Sequence, residues 1–303
     1  MITQEEFLKL LSNRAIQIEG FLGDYLSNET RGEEIARPER LLKAIRHGVL
    51  NGGKRMRPFL VLEVASMFGS NDQKAMHAAA GLECLHCYSL VHDDLPAMDD
   101  DDYRRGQPTI HKAFDEATAI LAGDAMLTLS FELTVSEAGG IDAQTRCLLA
   151  AALARDAGMA GMVGGQTLDL AFENSDVSED IISRIHAMKT GALIRYACTA
   201  GVLIAGGSAK DVVSMQKYGE IIGLAFQLAD DLLDVTSDSE TMGKATGKDS
   251  EAGKRTLVEI YGVDWARARL DELIGQAEEI LVPYGERANV LRAAAHFVAK
   301  REF

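Results

Sequence analysis

Apolar residues recur along most of this chain at the three- and four-residue spacing of a helix, and the long stretches lack β-branched alternation, which predicts an all-α fold. Asn71-Asp72 opens an Ala-rich helix running toward Asp93, with Ala75, Ala79, Leu82, Leu85 and Leu90 on its apolar face. Further helices are expected around 116–136, 143–157, 178–205, 211–236, 264–281 and 286–300. Ser178-Glu179-Asp180 supplies a cap residue and an acidic first turn for the third of these. Gly158, Gly161, Gly164 and Gly165 precede Gln166-Thr167-Leu168-Asp169 in a helical-looking stretch, and close helix packing is their plainest reading. No Pro/Ser-rich linker, low-complexity tract or internal repeat divides the sequence, so residues 1–303 are expected to form a single domain.

Two places break the pattern. Asp93-Asp94-Leu95-Pro96-Ala97-Met98-Asp99-Asp100-Asp101-Asp102 and Asp230-Asp231-Leu232-Leu233-Asp234 are acidic, yet apolar residues precede both. Either run alone reads as a solvated helix end. Together, at the mouth of an apolar interior, they would repel one another unless cations neutralised them. Asp230 and Asp234 are i and i+4, so they share a helix face with Asp231 beside them. Asp93 and Asp99 are six apart, and a loop at Pro96 is expected to bring Asp99 back. Oxygen-only ligands suit Mg²⁺, which keeps positions open for water and phosphate, and no glycine stands where a calcium loop needs one.

Composition narrows the partners. With 31 basic against 46 acidic residues the formal charge is −15, which argues against nucleic acid. Four scattered cysteines do not make a disulfide framework, so a reduced cytoplasmic compartment is expected. Cys84-Leu85-His86-Cys87 has metal-like spacing but no second pair. The charged N-terminal segment reads as neither signal peptide nor membrane span. Basic residues gather where an anion would need them. Gly52-Gly53-Lys54-Arg55-Met56-Arg57-Pro58 offers exposed amides and cations before a helix, and Arg104-Arg105-Gly106 follows the first acidic run. A Walker motif fails, because Gly243 and Gly247 are too close and Asp249 follows Lys248. No G-x-S-x-G elbow occurs. His86 and Lys189 stand isolated on apolar helices, where a satisfied core histidine and a snorkelling lysine are the ordinary readings.

Gly52–Pro58, His86, the D-D-x-x-x-x-D run ending in Asp-Asp-Tyr-Arg-Arg-Gly, Lys189-Thr190-Gly191 and Phe226–Asp234 together resemble the trans-isoprenyl diphosphate synthases, bacterial farnesyl diphosphate synthases above all. The likeness spans roughly residues 40–260 and is specific as a set. It implies a helical bundle around a deep apolar cavity, a homodimer, and the use of three Mg²⁺ ions, with Asp93 and Asp99 on one wall and Asp230 on the other. Asp94, Asp100, Asp231 and Asp234 would be nearby ligands or supports. By the same resemblance Arg104, Lys189 and Lys244 hold an allylic diphosphate, and Gly53, Lys54, Arg57, His86 and Arg105 hold isopentenyl diphosphate. Thr190 and Gln227, with Lys189, would orient and stabilise developing charge, and Gln166 and Asp169 fit a family Gly-Gln-x-x-Asp-Leu pattern.

The implied reaction condenses isopentenyl diphosphate with dimethylallyl and then geranyl diphosphate. Ser89 and Tyr88 lie four and five residues before Asp93, roughly 6–7.5 Å along a helix axis. An aromatic residue there, with the Leu95–Met98 spacer, is associated in the family with a fifteen-carbon product, although ordinary packing also explains Tyr88. Geranylgeranyl and geranyl diphosphate synthases are the near alternatives. A terpene cyclase would not need Lys54, Arg57 and His86, and a non-catalytic partner subunit would not need both acidic motifs. The cations of Ala299–Phe303 suit closure over a site, but no tail is securely matched.

Overall fold

The computed structural model describes residues 2–172, 175, 177–236 and 255–300. Among them the fold is all-α apart from one short antiparallel hairpin. The chain divides into two compact units, one of Lys9–Leu62 and Asn71–Ala150, the other of Met1–Leu8, Glu63–Ser70 and Ala151–Phe303.

The first unit is organised on α4 (Asp72–Asp93), which packs against α6 (Glu116–Thr134). Asn71 caps α4 by accepting from the Lys74 amide at 3.1 Å, and Asp115 caps α6 by accepting from the Thr118 amide at 2.7 Å. Burial runs around much of α4, including Ala78, Ala79, Ala80, Leu82, Cys84 and Leu85, as expected of a core helix. Gly81 lets the two helices approach, since a Cβ there would lie 2.7 Å from the Ser130 carbonyl oxygen. Around this pair stand α2 (Glu39–Val49), the β1–β2 hairpin (Tyr103–Arg104 with Gln107–Pro108) and α5 (Ile110–Ala113).

In the second unit α11 (Ala209–Thr236) is central. It packs against α10 (Ala192–Ala205), α13 (Val263–Leu281) and α14 (Asn289–Ala299). The buried Tyr218 hydroxyl donates to the Leu291 carbonyl at 2.7 Å. Thr256 and Glu259 form a reciprocal capping box that starts α12 (Leu257–Tyr261).

The expected helices at 116–136, 143–157, 211–236, 264–281 and 286–300 are present with small shifts of their ends. The run expected at 178–205 is α9 (Glu179–Ile185), a π-helical segment (His186–Gly191) and α10. Charge masked α1 (Gln4–Tyr25), whose buried Phe7, Leu11, Ile18 and Leu22 alternate with exposed polar residues. The stretch Ala143–Ala171 is apolar and long enough to cross a membrane by composition. A break at 158–161 divides it into α7 (Ala143–Ala157) and α8 (Met162–Ala171).

Candidate active site

α4 ends where the acidic run begins. The Asp94 amide still donates back to Leu90, but Pro96 has no amide to continue the ladder, and the chain turns. The Asp99 amide then donates to the Asp93 carbonyl at 2.9 Å, so the backbone loops back at Pro96 as expected, although a six-residue spacing would not align on a regular helix. Asp93 is half-buried and Asp99 exposed. Asp94 points inward at 3 % exposure, and its Oδ1 accepts from Arg104 Nε at 2.6 Å. Burial lifts its carboxyl above the usual range, with Arg104 opposing the shift. Arg104 also reaches Asp101 at 3.3 Å. This cation is thus aimed along the acidic run, where it tempers the crowding of carboxylates.

The basic turn lies in the same unit. Gly52 and Gly53 take φ of +85° and +120°, a region open to glycine, and α3 (Met56–Met67) follows. Lys54 is exposed and Arg57 half-buried. Arg57 Nη1 lies 3.3 Å from His86 Nε2. Burial, then the Arg57 guanidinium, hold the His86 imidazole well below its ordinary pKa, so it is neutral and its ring nitrogen accepts from Arg57. Arg105 donates to the Asn51 side chain at 3.0 Å and to the Gly52 carbonyl. A Cβ on Gly53 would meet the Arg105 guanidinium carbon at 2.7 Å, so glycine is what lets that cation lie over the turn. Gly53, Arg57, His86 and Arg105 therefore form one cationic cradle, with Lys54 in its turn.

Tyr88 is 6 % exposed, with its ring edge-on to His92 at 5.7 Å. His92 is seated against Gly123, where a Cβ would come within 2.1 Å of its Nε2. Ser89 donates its hydroxyl to the His86 carbonyl at 2.8 Å and so bonds within its own helix.

In the other unit the π-helical segment carries Lys189 and Thr190. The wider turn of a π-helix redirects side chains that a regular helix would stack, and such segments often mark function. Two glycines admit it. A Cβ on Gly165 would lie 2.2 Å from the Lys189 amide nitrogen, and one on Gly223 would lie 2.7 Å from Gly191 Cα. Lys189 Nζ donates to Asp169 Oδ2 at 2.6 Å. Thr190 Oγ1 donates to Gln227 Oε1 at 3.0 Å, and Gln227 Nε2 donates to Asp231 Oδ1 at 2.9 Å. His186 Nε2 stands 3.7 Å from the other Asp231 oxygen. Asp231 is thus buried at 2 % exposure, while Asp230 and Asp234 are half-buried on the neighbouring face. A pocket of about 120 Å³ gathers Asp169, His186, Lys189, Gln227, Asp231 and Arg255 against an apolar wall of Phe172, Val177, Ile182 and Ile185.

The donor chemistry fits Mg²⁺. Asp93 and Asp99 in one unit, and Asp230 and Asp234 in the other, offer hard carboxylate oxygens without nitrogen or sulfur. One oxygen of Asp94 accepts from Arg104. Asp100, Asp102 and His111 also bring ligand atoms within 4.8 Å of one another, but Lys112 pairs with Asp102 at 2.8 Å. Lys244, the Gly243–Asp249 stretch and the last three residues lie outside the described residues. His186 and the inward turn of Asp231 were not legible beforehand, although Gln227 and Asp231, i and i+4 on one helix, were a signal for their bond.

Residues 38–282 match the polyprenyl synthetase family. The chain is 45 % identical to the farnesyl diphosphate synthase of Escherichia coli K12 over 86 % of its own length and 89 % of that protein. It is 42 % identical to geranylgeranyl pyrophosphate synthase 3 of Arabidopsis thaliana over 87 % of its length and 75 % of that protein. The structure of an FPP/GFPP synthase from Zymomonas mobilis superposes with a TM-score of 0.86 at 35 % identity, covering 98 % of this chain and all (100 %) of that one. A geranyltransferase from Helicobacter pylori, solved with magnesium and isoprenyl diphosphate, gives 0.80 at 33 % identity over 96 % of each chain.

Proposed function

Because this chain belongs to the polyprenyl synthetase family, we propose that it is a Mg²⁺-dependent prenyltransferase that makes farnesyl diphosphate from isopentenyl diphosphate and dimethylallyl diphosphate, by way of geranyl diphosphate. The observation that carries the reading is the cationic cradle of Gly53, Arg57, His86 and Arg105, with Lys54 in the same turn. A site for one diphosphate alone would be served by the acidic motifs and their ions. A separate set of cations provides for a second diphosphate, and two diphosphate substrates are what chain elongation needs.

Asp93, Asp99, Asp230 and Asp234 are the residues proposed to hold Mg²⁺, about three ions by family likeness. When bound, the metal supplies positive charge that neutralises a departing diphosphate. Arg104 and Lys189, with Lys244, add cations for the allylic diphosphate. The allylic carbon–oxygen bond breaks and its electron pair leaves with diphosphate. Thr190 and Gln227, fixed to one another by a hydrogen bond, place oxygen dipoles to stabilise the positive carbon. The cradle holds isopentenyl diphosphate so that its double bond attacks that carbon, and the proton then lost goes to diphosphate. Apolar walls exclude water, which would otherwise capture the cation. No protein nucleophile takes part.

A fifteen-carbon product follows from Tyr88, whose buried ring would stop the growing chain. The likeness to a plant geranylgeranyl synthase supports a twenty-carbon product as the second reading. The proposed assembly is a cytosolic homodimer in which residues 1–303 act as one catalytic domain. In the test, purified protein is incubated with dimethylallyl diphosphate and labelled isopentenyl diphosphate. Label is expected in extractable prenyl product with Mg²⁺ and not after chelation. No incorporation with Mg²⁺ present would overturn the reading.

A further inference from the structure

Three cations stand in the Gly52–Pro58 turn, and they do not behave alike. Lys54 is exposed and Arg57 half-buried beside His86, whereas the Arg55 side chain is 0 % exposed. Arg55 cannot meet a substrate from that position.

It is instead held on every side. Nη1 donates to Glu83 Oε1 at 2.6 Å, and Nη2 donates to the Val49 carbonyl at 2.6 Å and to Glu19 Oε1 at 2.9 Å. Nε adds a bond to Glu19 at 3.1 Å. Those partners belong to α4, the end of α2 and α1, while the Arg55 carbonyl accepts from the Phe59 amide at 3.0 Å to start α3. One guanidinium thus ties the first turn of α3 to its neighbouring helices.

The backbone yields to this arrangement. Arg55 has φ of +49°, a region that residues with a Cβ rarely adopt, and Lys54 separates it from Gly52 and Gly53, two glycines with positive φ. Glu83 lies three residues before His86, within one helical turn. The Arg55–Glu83 contact therefore fixes the height of the His86 helix against the turn that carries Arg57. Arg57 and His86 meet at 3.3 Å within that frame.

We propose that Arg55 is a positioning residue for the isopentenyl diphosphate site, locking the turn so that Lys54, Arg57 and His86 converge on one diphosphate without touching it itself. This rests on the cradle being that site. The same charge on a lysine would not serve, because an ammonium cannot span Glu83, Glu19 and the Val49 carbonyl as a planar fork does.

The test uses the full chain in two variants. Arg55→Lys keeps the charge and loses the fork. Arg55→Met with Glu83→Leu removes both fully buried charges, which often preserves stability where removal of one partner does not, and leaves Glu19 partly open to water. In whichever variants keep the wild-type helical circular dichroism, KM for isopentenyl diphosphate is expected to rise about tenfold or more, with KM for dimethylallyl diphosphate within about twofold and kcat less affected. An isopentenyl diphosphate KM within about twofold of wild type in a folded variant would overturn the proposal, as would equal rises in both KM values. Loss of fold in both variants would also overturn it, by making Arg55 a residue of stability alone. Arg57→Ala separates the premise from the proposal. If that variant leaves the isopentenyl diphosphate KM unchanged, the cradle has been assigned to the wrong substrate.

Discussion

At the scale of single residues, similar side chains differ in what their surroundings let them do. Asp93 and Asp94 are adjacent, yet one stays half-open at the end of α4 and the other is buried against Arg104. Asp230 and Asp231 divide in the same way, with Asp231 turned toward Gln227 and His186. The sequence made the acidic motifs visible but could not say which oxygens were already committed, because that depends on partners distant in the chain. Asp93→Ala and Asp230→Ala should each lower turnover by a factor of about 10² or more while circular dichroism stays unchanged. Near-normal turnover would contradict the metal assignment. Tyr88→Ala should lengthen the products seen by chromatography, and unchanged lengths would remove Tyr88 from that role. His186 adds a pH dependence to folding. Burial depresses its pKa to about 4 from 6.5, so the unfolded chain takes up the proton first as pH falls. Its contribution is intact above pH ~6.5 and is lost toward pH ~4, with a slope of at most ~1.4 kcal/mol per pH unit. Chemical denaturation across that window should show a shallower pH dependence in His186→Gln, and equal slopes would contradict the assignment.

At the scale of elements, helices with a clear apolar face or a cap were legible. α4, with Asn71 at its start, and α11, with Asp230 and Asp234 on one face, follow directly from spacing. α1 was not, because exposed charges hide a stripe of only a few buried residues. The π-helical segment was not legible either. Nothing in His186–Gly191 demands an extra residue in the turn, and the reason lies opposite, at Gly165 and Gly223. Of the glycines read as packing positions, Gly165 permits close approach to the backbone of Lys189 and Gly164 to the Met188 side chain, whereas Gly158 and Gly161 lie against the nearby carbonyls of Ala154 and Asp156. Gly165→Ala should therefore cost about 1–3 kcal/mol, seen as a lower Tm, with a larger fractional loss of turnover than of folded protein. Wild-type Tm and turnover would show that the close contact is unimportant.

At the scale of the whole molecule, composition argued against nucleic acid but chose no partner. A net charge of −15 is unfavourable for binding anions, so the proposed substrate sites would depend on locally gathered cations and on metal. The cradle meets that need in one unit, and Lys189 and Arg255 lie around a pocket of the other. Chain length is the property that turns a family assignment into a specific activity. It is read most directly by chromatography of the product formed from dimethylallyl diphosphate and excess labelled isopentenyl diphosphate with Mg²⁺. The expected result is label accumulating as farnesyl diphosphate after transient geranyl diphosphate; a twenty-carbon end product, or no labelled prenyl diphosphate, would contradict it.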